Sequence, residues 1–442
     1  MTPRMRERLT ARIPGLLHDR FFRRYWNGQT ISMFGDQISS IVLPLVAVKT
    51  LHASPFQMGL LAALVWVPSL LFSLHAGAWV DRRGHRRRTM ITADVARALL
   101  LASIPVSFAA GVLTIWQLYG VAFLVGVFSV LFTVSNPTLF VSLVPKDKYV
   151  EGNSLVYGSR ALSFVGGPSV GGALVQLLSA PFAVIADAVS FVGSAYFLAR
   201  IRPDEPSPSR PSEGSVMAGA RFIRNSEVVR ASLFAASTVN FFNFVFFALF
   251  VLYATRYLHV APGVLGLVLG LGAIGGVLGA AVTKRLAGRF GLGRVYTASF
   301  LVFAAPMALV PAAAGPHWVI LVMLMAAEFV GGFGVMVLDI SIGAIFSAVI
   351  PDDLRSRVSG AFQAVNYGVR PLGALAGGFL GSVIGPRPTL WVAAIGGCLS
   401  FLVLLPTSLP RFAMPEEPAA GQGAVASQRS VSASSATSVS SP

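Results

Sequence analysis

Apolar runs of about twenty residues, the length a helix needs to cross ~30 Å of hydrocarbon, recur from Trp26 to Leu409. A chain patterned this way cannot wrap a single core and leave a polar surface, because nearly every segment is apolar on all sides. Composition agrees: 55% of the 442 residues are hydrophobic and 12% charged, against about 25% charged in soluble domains. The runs are rich in Gly, Ala, Leu, Val and Phe and lack the two-residue alternation of a membrane barrel, so the backbone must satisfy itself within helices. The expected fold is an all-α membrane protein of twelve transmembrane helices, at 25–49, 55–80, 89–111, 115–143, 153–178, 181–200, 230–256, 262–285, 294–314, 317–347, 357–384 and 388–409.

The formal charge of +16 invites a nucleic-acid reading, but the basic residues sit in alternate loops. Arg4 to Arg24, Arg82 to Arg88, Lys146 and Lys148, Arg200 to Arg230, Lys284 to Arg294, Arg355, Arg357, Arg411 and Arg429 fall on one side. The other side holds little beyond Lys49, Arg256 and Arg387. This is the positive-inside pattern, which predicts both termini in the cytoplasm of a bacterial inner-membrane protein and no nucleic-acid partner. The first apolar run follows a long polar lead and ends without a small-residue cleavage site, so it is expected to be a retained helix.

The pattern divides into a basic N-terminus (1–24), a six-helix bundle (25–200), a cytoplasmic linker with an amphipathic stretch (201–229), a second six-helix bundle (230–409) and a Ser/Ala/Gly-rich tail (410–442) expected to be disordered. The linker carries Pro203, Pro206, Pro208 and Pro211 ahead of the amphipathic Ser215 to Val229. An internal repeat supports the halving. Val144-Pro145-Lys146-Asp147 and Ile350-Pro351-Asp352-Asp353 are offset by 206, as are Gly171-Gly172 and Gly377-Gly378; Asp81-Arg82-Arg83-Gly84 echoes Gly288-Arg289-Phe290-Gly291 at 207. Duplicated six-helix halves are a recurring transporter plan, with the substrate near mid-membrane where they meet.

Other classes lack their signatures. Cys398 is the single cysteine and lies in an apolar run; the six histidines have no metal-ligand spacing, and no phosphate-cradling G-x-x-x-x-G-K-[ST] is present. No nucleophile motif stands out, so neither an enzyme, a metal site nor a cofactor is expected, and the chain is not itself an ATP-driven pump.

Two local motifs say more. In the turn between the second and third helices, Gly77, Asp81, Arg82, Gly84 and Arg86 stand in Gly77-Ala-Trp-Val-Asp81-Arg82-Arg83-Gly84-His85-Arg86-Arg87-Arg88. Gly77 permits close helix approach, Gly84 a tight turn, and Asp81 can accept hydrogen bonds from a helix N-terminus or an arginine, so the cluster is able to latch one conformation. The other reading is a basic run that only sets topology, which fits Arg86 to Arg88. In the fifth helix, Gly167-Pro168-Ser169-Val170-Gly171-Gly172 combines a lost backbone hydrogen bond at Pro168 with the small Gly167, Gly171 and Gly172, which favours bending and tight packing.

The first motif resembles the G-x-x-x-D-R-x-G-R-[RK] loop of the major facilitator superfamily, and the second resembles the G-P-x-x-G-G element of its antiporters. Trp26-Asn-Gly-Gln-Thr-Ile-Ser-Met-Phe-Gly35-Asp36, Asp94-Val-Ala-Arg97-Ala and Asp187-Ala-Val-Ser-Phe191 are similar to the branch containing the enterobactin exporter and macrolide-efflux proteins. The resemblance spans about residues 20 to 410. It implies alternating-access export of a drug, siderophore or secondary metabolite against protons; the alternative within the fold is a proton-coupled nutrient importer. One departure is that the fourth helix, Ile115 to Val141, has no arginine, whereas many drug:proton antiporters of the superfamily place one there.

Ionisable residues inside a membrane are costly and mark functional candidates. The spans hold Asp36, Asp94, Asp187, Glu328 and Asp339 with Arg97, Arg160 and Arg370, all expected to be buried. Asp94 and Arg97, three apart on one helix, read as a structural pair; Asp187 reads as a hydrogen-bonding contact to a neighbouring helix, and Arg160 and Asp339 are grouped with these structural charges. Asp36, Glu328 and Arg370 fall nearer the midplane and are the candidates for coupling or cargo. Asn240 and Asn243, among Phe241, Phe242, Phe244, Phe246 and Phe247, could anchor cargo in an apolar cavity, lipid-facing aromatics being the other reading. Asn136 beside Pro137 is either a functional kink or a packing hydrogen bond.

Overall fold

A computed structural model describes residues 15–203 and 216–412 of the chain. Twelve long helical segments account for most of them: α1 (Arg20–Leu45, prolonged by a π turn Val46–Thr50), α2 (Pro55–Arg83), α3 (Arg86–Ala109), α4 (Ile115–Leu143), α5 (Tyr149–Leu178), α6 (Ile185–Ala199), α7 (Glu227–Arg256), α8 (Pro262–Phe290), α9 (Leu292–Ala304, continued in short turns to Ala312), α10 (His317–Val349), α11 (Asp352–Val383) and α12 (Pro386–Leu399). No strand occurs among the described residues. Eleven segments are long and apolar enough to cross a membrane; α11 is not among them, because Gln363, Asn366, Tyr367 and Arg370 dilute its apolar face.

Local chemistry sets the ends. Asp19 accepts from the Phe21 and Phe22 N–H groups at 2.8 Å and starts α1. Ser54 and Gln57 form a capping box behind Pro55 at the head of α2. Gly84 closes α2 at φ 67° and Gly291 closes α8 at φ 87°, left-handed conformations that favour glycine.

Three boundaries differ from the sequence reading. The first helix begins at Arg20 rather than 25, because Asp19 supplies a cap ahead of the apolar run. The amphipathic stretch 215–229 is broken: a linker helix, Val216–Asn225, stops before Ser226, which caps α7 from Glu227. Residues 410–412, assigned to the tail, are packed, with the Gly293 N–H donating to the Phe412 carbonyl at 3.1 Å and Leu409 fully buried. The remaining tail, 413–442, lies outside the described residues.

The repeat is structural as well as sequential. Val144 and Ile350 leave α4 and α10 in the same extended conformation (φ −113°, ψ 127° and φ −94°, ψ 121°). Each is followed by a proline at ψ 146°. His52 and His259 form matching positive-φ turns at 53° and 52°.

Helices α1 to α6 pack mainly with one another, as do α7 to α12, and the halves meet chiefly through α5 against α8 and α2 against α11. The close approaches are gathered at one end. There Gly172 abuts Pro262 and Gly266, Gly270 abuts Val165, and Gly378 and Gly381 abut Pro55 to Gly59. Toward the end carrying the turns at Gly84, Pro145 and Pro351, a cleft opens. Gly158 of α5, Gly343 of α10 and Gly360 of α11 have no atom within 4 Å of where a Cβ would stand.

Candidate functional site

One charged cluster lies inside the first half. Arg97 on α3 is 2% exposed, donates to Asp94 one turn earlier, and reaches Ser129 Oγ of α4 at 3.4 Å. Its guanidinium carbon stands 4.0 Å from the Phe191 ring centroid and 4.6 Å from that of Phe132. The aromatic faces therefore cover the cation where water is excluded. The sequence paired Asp94 with Arg97, and the structure places them in contact.

Asp36 on α1 does not stand alone: Arg97 of α3 lies beside it. Its Oδ1 lies 4.0 Å from Arg97 Nη1. The Asp36 side chain is 48% accessible, although protein surrounds it on most sides. Asp36 is thus open to water, unlike the buried Asp94 and Asp187. Asp187 on α6 is buried and accepts from Ser39 of α1 and, at 2.9 Å, from Ser190. Gly35 makes this possible: a Cβ there would fall 2.2 Å from Asp187 Oδ1 and 1.9 Å from Ser190 Oγ. Three carboxylates on α1, α3 and α6 thus gather near one guanidinium, which Asp94 and Asp36 reach within 4.0 Å while Asp187 is held by serines. Two have no counter-charge of their own, which makes room for a proton or a cation.

A second group of charges spans the halves. Asp339 on α10 is exposed, and the charges facing it are Arg370 of α11 and, from the other half, Arg160 of α5. No carboxylate lies within ion-pair distance of either arginine among the described residues. Arg370 sits instead among rings: Tyr367 at 4.2 Å, Trp66 of α2 at 4.4 Å and Phe244 of α7 at 5.2 Å. Arg160 and Asp339, expected to be buried, are exposed because helices of opposite halves part at their level.

Glu328 on α10 is half-buried beside Gly272 of α8, 3.4 Å from a Cβ built there, and has no hydrogen bond or ion pair among the described residues. It joins neither charge group. The phenylalanines of α7 do not form one cavity wall. Phe242 packs on Gly396 of α12, Phe246 stacks on Phe250 in the core, and Phe244 faces Trp66, because consecutive helical positions point about 100° apart. Asn240 donates to its own helix at Ala236, and Asn243 is buried with Oδ1 unpartnered among the described residues. Asn136 accepts from Tyr25 at 2.7 Å, tying α4 to α1.

In the α2–α3 turn the side chain of Asp81 lies outside the described residues. Gly77 does not bring helices into close contact: the nearest atom to a Cβ there is on Val134, at 3.8 Å. Arg82 is exposed, whereas Arg86 is 3% exposed at the head of α3 rather than solvated. Arg87 donates to the Ile201 carbonyl at 2.7 Å and Arg24 to that of Arg200 at 2.6 Å, so these basic residues satisfy the carbonyls just past the end of α6. The Gly167-Pro168-x-x-Gly171-Gly172 motif lies on the meeting line of the halves. Gly167 abuts Gln37 of α1, Gly171 abuts Ile41, and the Pro168 carbonyl stands 2.3 Å from a Cβ placed on Gly266.

Sequence reasoning missed Trp66, Tyr367, Ser39 and Ser190. Trp66 carried a usable signal, since membrane tryptophans favour the interfaces and this one lies inside a span. The serines carried none.

Known proteins resemble the chain over most of its length. A family model described as transmembrane secretion effector, within the major facilitator superfamily, matches residues 14–428. The uncharacterized MFS-type transporter YfiS of Bacillus subtilis is 26% identical over 406 residues, covering 86% of this chain and 90% of YfiS. The multidrug efflux pump Tap of Mycobacterium tuberculosis is 28% identical over 385 residues, covering 82% and 87%. Among solved structures, a bacterial homologue of the lysosomal transporter Spinster, inward-facing and occupied, superposes with a TM-score of 0.71 at 13% identity, over 90% of this chain and 99% of that one. A multi-pass fold of paired halves, a cleft lined with charge and this family match have one reading: the chain is a major facilitator superfamily transporter of the transmembrane secretion effector family, in an efflux-type branch.

Proposed function

We propose that the chain exports small organic molecules across a bacterial cytoplasmic membrane by alternating access, in exchange for protons, with both termini in the cytoplasm. The observation that carries this reading is the accessible Asp36 beside the buried Arg97. A carboxylate that reaches the guanidinium already paired with Asp94, and that alone among the three carboxylates there is exposed, is placed to take up a proton from one aqueous side and release it to the other. Movement of α1 against α3 would change its distance from Arg97 and hence its hold on the proton.

The two six-helix units (25–200 and 230–409) rock about the α5–α8 and α2–α11 contacts, the linker (201–229) tethering them. With the basic turns in the cytoplasm, the cleft described above is open inward. Glu328, Arg370, Asn240 and Asn243 are assigned to the cargo path. The Gly77 to Arg86 turn acts as a conformational latch, so Asp81→Asn is expected to slow turnover while leaving insertion intact. A relative named as a multidrug efflux pump supports the outward direction.

The test is counterflow in proteoliposomes of known orientation. An imposed proton gradient should drive a fluorescent efflux substrate only when its sign matches export. Accumulation with the opposite sign identifies an importer, and indifference to the gradient removes the proton.

A further inference from the structure

Arg370, assigned above to the cargo path, sits in an arrangement that bears on the charge of the cargo. Three rings surround its guanidinium, two from its own half (Tyr367 and Phe244) and Trp66 from the other. Trp66 in turn meets Phe244 edge-on at 5.4 Å. Stacking on ring faces steadies the charge but uses none of the five in-plane N–H donors. Arg370 makes no hydrogen bond among the described residues; its Nε is buried without a partner, while the two Nη atoms remain accessible. Pro371 follows directly and removes the backbone donor that would otherwise reach the Tyr367 carbonyl, so α11 can flex at this point.

Charge fixes the kind of ligand. The exposed Asp339 of α10 feels the charge of both Arg370 of α11 and the exposed Arg160 of α5, and none of the three has an ion pair within 4.0 Å among the described residues. Two guanidiniums against one carboxylate leave a single positive charge. A cationic cargo would meet that excess, and the aromatic cage is already filled by the protein's own cation. A carboxylate meets what is missing: in-plane donors, a counter-charge and ring surface beside them.

We propose that Arg370, clamped by Trp66, Tyr367 and Phe244, and Arg160 on the opposite half form the recognition site for the carboxylate of an aromatic monoanionic cargo, which bridges the two halves across the cleft. This rests on the cleft being the cargo path and adds the cargo's charge class. Bridging gives the cargo a role in closure, since one group would then join α5 to α11.

The test is equilibrium binding to the purified full-length protein in nanodiscs, with naphthoate, neutral naphthamide and naphthylmethylammonium as probes. Naphthoate should bind at least about tenfold more tightly than either analogue. Arg160→Gln and Arg370→Gln should each weaken naphthoate about tenfold and leave naphthamide unchanged. Arg370→Lys, which keeps the charge and loses the fork, should fall between. If Arg370→Gln does not fold, Arg160→Gln decides, because Arg160 is exposed. The proposal is overturned if naphthoate fails to bind, if either analogue binds as well, or if folded variants bind naphthoate like the parent. Binding is read without a gradient, so naphthoate selectivity without proton-driven transport would sink the antiport reading alone. Proton-driven efflux of a cationic dye without naphthoate selectivity would sink only the present proposal.

Discussion

Gly59 of α2 and Gly378 of α11 touch across the halves: a Cβ on Gly59 would stand 2.5 Å from the Cα of Gly378, and one on Gly378 would stand 2.8 Å from that of Gly59. On the other side of the cleft Gly172 and Gly266 repeat the contact, a Cβ on Gly172 falling 3.1 Å from the Gly266 Cα. Without side chains between them, the helix backbones close one end of the molecule by direct packing, the small-residue contact that membrane helices use in place of a hydrophobic driving force.

Larger residues at these points should therefore pry the closed end open. Gly378→Val and Gly172→Val are each expected to shift the equilibrium away from this state. With Cys398 replaced by serine, spin labels at Lys49 and Tyr257, both exposed at that end, should report a longer distance by pulsed electron paramagnetic resonance. An unchanged distance distribution in both variants would mean that the glycines are only packing detail.

Asp36→Asn is expected to insert and bind cargo normally yet lose accumulation driven by a proton gradient, while passive exchange survives. Transport in proteoliposomes with and without the gradient separates these two activities. Normal pumping with unaltered pH dependence would remove Asp36 as the coupling group and turn attention to Glu328.

The Arg97–Asp94 pair should behave as a structural unit. Arg97→Gln strands a fully buried carboxylate, a change that costs about 3–5 kcal/mol where partners are removed singly. Combining it with Asp94→Asn should restore most of the loss. Thermal unfolding of the detergent-solubilised single and double variants measures this, and simple additivity would show that the two side chains act independently.

Orientation is checked at the linker and the tail. Cysteines introduced at Ser207 and Ser427 in a Cys398→Ser background should resist an impermeant maleimide in intact cells and react after permeabilisation. Labelling of both from outside would reverse the assigned topology.

Hydropathy, basic-loop bias and the repeat are local or periodic properties, so the sequence alone determined the membrane-spanning helices, their pairing into halves and the places where helices turn. Gly84 and Gly291 needed no tertiary information, since a positive φ at a helix end suits glycine wherever the helix lies. The site was legible only as a set of unplaced charges. Asp36 and Arg97 lie on different helices, and so do Trp66 and Arg370. No periodicity within one helix records which face of another it will meet. That choice rests on how the glycines let backbones approach and on where the two halves separate. Tertiary packing thus decided that Asp36 shares its arginine with Asp94, that Arg160 and Asp339 are exposed rather than in a core, and that Arg370 is held by rings instead of an acid.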